Sequence, residues 1–127
     1  MLTTHPFDDD KLHEECGLFG IYGHVDAAAH TALGKMLGFT EAQIAELRRG
    51  RASFDARLDA LARFARAVAE HRGHVSAETT DAFLAAGWTQ ANLVDAIMAV
   101  GDKTISNYLH GVTKIPVDFP AAEKLAA

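Results

Sequence analysis

Cysteine occurs once in this chain of 127 residues, as Cys16. A single thiol excludes an internal disulfide, and with it a disulfide-stapled architecture. Long hydrophobic runs are also missing. No apolar stretch approaches the roughly 20 residues that a membrane-spanning helix needs. Positive charge is not in excess: 12 Lys and Arg stand against 17 Asp and Glu, a net charge of −5. That argues against non-specific nucleic-acid binding, which requires a basic face. No basic-then-apolar leader is present, and the N-terminus carries Asp8-Asp9-Asp10, so secretion is not expected. There is no low-complexity segment. These absences lead to the expectation of a cytoplasmic protein with no nucleic-acid partner and no membrane partner.

The remainder is ordinary globular composition, 49% apolar and 23% charged. The length suits one domain that buries about two-thirds of its unfolded surface. Patterning divides the chain into residues 1–26 and 27–127. In the first part Phe19 and Ile21 alternate with Gly20 and Tyr22, which suggests a strand or extended segment. From Ala27 onward everything reads as helix. The spacing predicts helices over 27–37, 41–49, 54–71, 76–86 and 90–110. Thr40 is placed to cap one of them, with Gln43 as its capping-box partner and Phe39 and Ile44 at staple positions. Gly87-Trp88-Thr89-Gln90-Ala91-Asn92-Leu93 repeats Gly38-Phe39-Thr40-Glu41-Ala42-Gln43-Ile44, a recurring helix–turn–helix corner. Ser53 and Ser76 are expected N-caps, and Gly50, Gly73 and Gly87 are expected stops.

In the helix over 54–71, Phe54, Leu58, Leu61, Ala65 and Val68 share one face, while Arg57, Arg63, Arg66 and Glu70 lie mostly elsewhere. In the last helix Leu93, Ile97, Val100, Ile105, Tyr108 and Leu109 make it apolar on more than one side. That girth predicts a homo-oligomer. Pro116 and Pro120 force an extended tail. His13, Glu14, Glu15, Cys16, His24 and Asp26 are metal-ligand types, but their spacing fits no zinc signature. No metal and no cofactor is expected. His71 and His74 bracket a glycine turn, His110 closes the last helix, and Arg48, Arg49 and Arg51 read as a solvated basic corner.

The stretches Ala28-Ala29-His30-Thr31-Ala32-Leu33-Gly34-Lys35, Arg72-Gly73-His74-Val75-Ser76, Lys103-Thr104-Ile105-Ser106-Asn107-Tyr108 and Val117-Asp118-Phe119-Pro120 resemble the alkyl hydroperoxidase D / carboxymuconolactone decarboxylase family. The resemblance covers about residues 28–127. It implies an all-α fold, a small multi-helix bundle that assembles into oligomers. It also implies peroxidase-type antioxidant chemistry on a small organic hydroperoxide with a dithiol reductant. The family's redox site has the form Glu-x-x-Cys-x-x-Cys-x-x-x-His. One thiolate attacks the peroxide and becomes a sulfenic acid, and the second resolves it as a disulfide. Counting back from His30, this chain has Asp26, Gly23 and Gly20 where the two cysteines and the glutamate would stand. Only the motif histidine, His30, is retained, so the resemblance implies a peroxidase-type oxidoreductase whose dithiol cycle cannot run. Read from the residues alone, His30 is a half-buried helix residue with a hydrogen-bond partner.

Leu12-His13-Glu14-Glu15-Cys16-Gly17-Leu18-Phe19-Gly20-Ile21-Tyr22-Gly23 is similar to the start of the amidophosphoribosyltransferase family of glutamine-dependent enzymes. That resemblance covers about residues 1–34, so the two meet near residues 27–34. It implies that Cys16 could serve as a glutaminase nucleophile with its own α-amino group as base. The residue reading is a leftover thiol on an extended segment. The rival functions are thus an inactive hydroperoxidase-like protein, a non-catalytic helical oligomerisation or binding module, and an amidotransferase fragment using Cys16.

Overall fold

A computed structural model of the chain describes residues 34–114. Their regular structure is all helix, joined by short turns, with no strand among the described residues. Residues 34–36 end a helical turn. Four helices follow: α1 (Glu41–Leu47), α2 (Ala56–Glu70), α3 (Ala77–Ala85) and α4 (Gln90–Thr113). The expected all-α bundle is what forms. The expected extended N-terminal segment, most of the 27–37 helix and the proline-bearing tail lie outside the described residues.

The two threonine corners have the same construction. Gly38 and Gly87 both adopt positive φ, at 90° and 94°, ending one helical turn in a conformation that glycine alone reaches without strain. Thr40 Oγ1 then accepts the Gln43 N–H at 3.2 Å, and the Thr40 N–H donates to Gln43 Oε1 at 2.8 Å. Thr89 and Asn92 repeat this reciprocal pair at 3.1 and 3.0 Å. Each corner satisfies two backbone donors that would otherwise lack a partner. The aromatic residue before each cap turns inward. Phe39 packs against the core and Trp88 is part of it.

α2 is the central element, packed on both α3 and α4. Leu61, Phe64, Ala65 and Val68 join Leu47 of α1, Ala52, Phe83 of α3, Trp88 and Ala96 of α4 in one buried cluster. Leu58 is only partly buried, and Phe54 precedes the helix and is exposed. Phe83 is fully enclosed, its ring 4.7 Å from Phe64 and 5.8 Å from Trp88 with the latter nearly parallel. The Trp88 indole N–H donates to the Arg57 carbonyl at 2.9 Å, and the Arg57 guanidinium lies 3.9 Å from the indole centroid. Cation–π contact and the hydrogen bond tie the start of α4 to the start of α2.

One expected cap differs, and one expected stop is extended by a residue. Ser53 does not cap α2; Asp55 does, accepting the Arg57 and Leu58 N–H groups at 2.9 Å each. A carboxylate there also complements the helix dipole. Ser53 is drawn away instead, giving its N–H and hydroxyl to Glu46 at 2.7 and 2.9 Å. At the other end of α2 the expected stop Gly73 does adopt positive φ, at 85°, and Arg72 before it is left-handed as well, at 53°. The Gly73 N–H closes back onto the Val68 carbonyl at 2.9 Å, a Schellman closure. A non-glycine residue in that conformation costs about 1–2 kcal/mol. The Arg72→Gly variant therefore gains stability, by a net of about 0.5–1 kcal/mol after glycine's larger unfolded-state entropy. Urea unfolding measures it, and an unchanged or lower midpoint would contradict it.

Candidate functional site

The two residues that the sequence singled out, His30 and Cys16, both lie outside the described residues. His71 and His74 are exposed on the turn after α2. Among the described residues, no three His, Cys, Asp or Glu side chains are grouped to hold a metal ion. Two other features stand out, a polar corner and a bare helix face.

The polar corner joins the loop after α1 to α2. Asp59 Oδ1 accepts the Ala52 N–H at 2.8 Å and Arg51 Nε at 3.1 Å, while Oδ2 accepts Arg63 Nε at 2.6 Å. Desolvation is the largest single influence on this carboxyl and pushes its pKa up. The Ala52 N–H, the two guanidinium hydrogen bonds and the charge of Arg63 together outweigh it, so the carboxyl stays below its ordinary 3.8. Glu46 is lowered too, chiefly by the Ser53 hydroxyl and then by the Ser53 N–H. Arg66 gives one hydrogen bond to the Arg49 carbonyl at 3.1 Å and another to Glu70 at 2.8 Å. Gly50 adopts φ 70°, and a Cβ there would stand 2.8 Å from Arg66 Cδ. Arg49 and Arg51 are exposed, as expected of a solvated basic corner, and the corner is at the same time a linked network that fixes a loop. Its carboxylates are committed to donors, so it offers no free acid or base.

The bare face is on α4. Only Ala96 of its 24 residues is fully buried. Leu93, Ala99 and Val100 are partly buried against the core. On the opposite side stand Val94, Ile97, Met98, Ile105, Tyr108, Leu109 and Val112, between 44% and 83% exposed. Gly101 is exposed among them, with open space where a Cβ would project. At 100° per residue these eight positions fall within a narrow arc that contains no charged side chain. From 94 to 112 the stripe runs about 27 Å at 1.5 Å per residue. A monomer rarely exposes so continuous an apolar strip. The sequence had flagged Ile97, Ile105, Tyr108 and Leu109 on this helix. It grouped them with the inward-facing Leu93 and Val100, and it missed Val94, Met98, Gly101 and Val112. The outer face has a 4-3-4-3-4 spacing at 94, 98, 101, 105, 108 and 112, but with both faces apolar it is the packing that decides which positions belong to it.

Among the described residues no single helix is long and apolar enough to cross a membrane; α3 and α4 reach that length and apolarity only as a pair, across a 118° bend. No protein-family profile matches the chain. Over 32 residues at the N-terminal end, the chain is 72% identical to the amidophosphoribosyltransferase of Rhizobium etli. That match takes in 25% of this chain and 6% of the relative.

Proposed function

We propose that this chain is an alkyl hydroperoxidase D-like helical protein that has lost dithiol peroxidase chemistry and serves as a cytoplasmic, non-catalytic assembly module. The observation that carries the reading is the outer face of α4, an uncharged apolar stripe directly opposite the face that α4 turns to the core. A helix apolar on both sides is built to be covered on both sides. The all-α fold is the fold class that the hydroperoxidase-like resemblance implies. Arg72-Gly73-His74-Val75-Ser76 forms the α2–α3 turn and cap, and Lys103–Tyr108 lies in α4. Against peroxidase turnover stands the thiol count: a two-thiol cycle needs a second cysteine, and the chain has one.

A second reading has its own observation. The N-terminal identity to an amidophosphoribosyltransferase favours a glutamine-hydrolysing fragment in which Cys16 is the nucleophile. One set of assays separates the readings. Peroxide consumption coupled to a lipoyl-type or thioredoxin-type donor should not exceed the blank. Turnover that persists in Cys16→Ser would overturn the non-catalytic reading. Ammonia release from glutamine that disappears in Cys16→Ser would establish the fragment reading in its place.

A further inference from the structure

We infer that the outer face of α4 binds the α4 of a second copy of this chain, antiparallel, about a two-fold axis at residue 103. The inference rests on the assembly-module reading above and adds the identity and geometry of the partner. Its basis is that the stripe is complementary to itself when reversed.

The spacing 94, 98, 101, 105, 108, 112 reads as steps of 4, 3, 4, 3, 4, which are the same in either direction. It is also the alternation with which two helices mesh side chains along a shared seam. Reversal about position 103 places Val94 opposite Val112 of the second copy, and Met98 opposite Tyr108. Gly101 falls opposite Ile105. The flanking pair behaves alike, with Ile97 opposite Leu109. All eight stripe positions thus meet stripe positions, as an isologous contact requires. Volumes match as well. Gly101 is the gap in the stripe, with nothing within 4 Å of a Cβ built there, and the reversed copy fills it with isoleucine, twice. Met98 against Tyr108 sets a thioether beside an aromatic ring. A parallel, in-register pair would set Gly101 against Gly101 and leave a void where close packing is needed.

Charge narrows the occupant further. The arc carries no charged side chain, so an acidic or basic peptide has nothing to pair with. A helix lying on a membrane surface needs Lys and Arg on its polar face. α4 has one lysine, Lys103, on the side toward the core, and the chain's net charge is −5. Asp102 lies at the edge of the stripe, where it stays in water at the rim of the contact.

The test uses the full chain and sedimentation at micromolar concentration. The expected mass is a dimer or a multiple of it. Gly101→Leu should keep its helical circular dichroism, because the position opens to solvent and leucine is the better helix former. It should nevertheless shift the protein at least tenfold toward monomer by filling the gap that Ile105 occupies. A Cys16→Ser background then fixes direction. With Val94→Cys and Val112→Cys together, oxidation should give a covalent dimer. With Val112→Cys alone it should not, because the two copies of that residue lie about 27 Å apart along the axis. Parallel pairing predicts ready cross-linking of the single variant. A monomeric wild-type chain would overturn the assembly reading together with this inference, and flotation of that monomer with phosphatidylcholine vesicles would assign the stripe to a lipid surface. An oligomer that ignores Gly101→Leu, or that cross-links through Val112→Cys alone, would overturn only this geometry.

Discussion

Replacing Phe83 with alanine lowers the unfolding free energy by about 3–5 kcal/mol, the usual cost of removing a fully enclosed phenylalanine. Phe83 has no exposed surface and lies between Phe64 and Trp88, with ring centroids 4.7 and 5.8 Å away. Those partners come from α2 and from the corner that starts α4, so the cavity opens where three helices meet. The neighbours are aromatic and held in place, Trp88 by its hydrogen bond to Arg57. They cannot relax into the gap, which places the loss at the upper end of the range. Small domains have about 5–15 kcal/mol in total, so the variant gives up a large share of its stability. Phe83→Leu fills most of the volume and should lose well under half as much. Urea midpoints of the two variants provide the measurement; similar midpoints for Phe83→Ala and the wild-type chain would mean that the aromatic cluster is not packed as described.

Asp59→Asn has the next largest effect, about 2 kcal/mol. The carboxylate accepts three hydrogen bonds, two from guanidinium groups. An amide keeps one acceptor oxygen and presents an NH₂ group to a second donor, which leaves a partner unsatisfied. The pH dependence has a definite sign. The Asp59 carboxyl titrates below its ordinary 3.8 in the folded protein. The unfolded state therefore binds its proton first as pH falls. Its contribution is fully present above about pH 4 and disappears as pH drops through the lower, folded value. Glu46 acts in the same direction. The wild-type chain should lose stability in that acid window, and Asp59→Asn should show a shallower loss there. Equal slopes for the two proteins between pH 5 and 2 would rule out the Asp59 network as the source.

The threonine corners were legible because everything that decides them lies within four residues. A small polar side chain, a glutamine or asparagine three positions on and a preceding glycine suffice. Ser76 was legible for the same reason. Ser53 was not, because its competitor Asp55 is two residues away and the choice is made by Glu46, on a different helix. Arg72 was hidden by its neighbour: Gly73 carries positive φ as expected, and hydrogen-bond closure onto Val68 puts the residue before it in the left-handed conformation too. On α4 the sequence indicated an excess of apolar surface but not its division. With Leu93, Ala96 and Val100 toward the core and Val94, Met98 and Val112 away from it, both faces are apolar. Hydropathy alone cannot distinguish them; only three-dimensional packing assigns the inner face, and the outer one follows. His30 and Cys16 were singled out by resemblance to two different families, and their surroundings fall outside the described residues.

The chain's one tryptophan gives it a built-in optical probe. The Trp88 indole is buried, stacked with Phe83 and hydrogen-bonded to the backbone of α2. Its fluorescence therefore reports a single environment, shared by α2, α3 and the start of α4. Emission shifts to the red when that environment opens to water. The chromophore lies in the core, while the stripe of α4 faces outward, so any association through that stripe would leave its spectrum nearly untouched. Light scattering and indole emission, recorded on one sample, therefore resolve dissociation from unfolding without any added label.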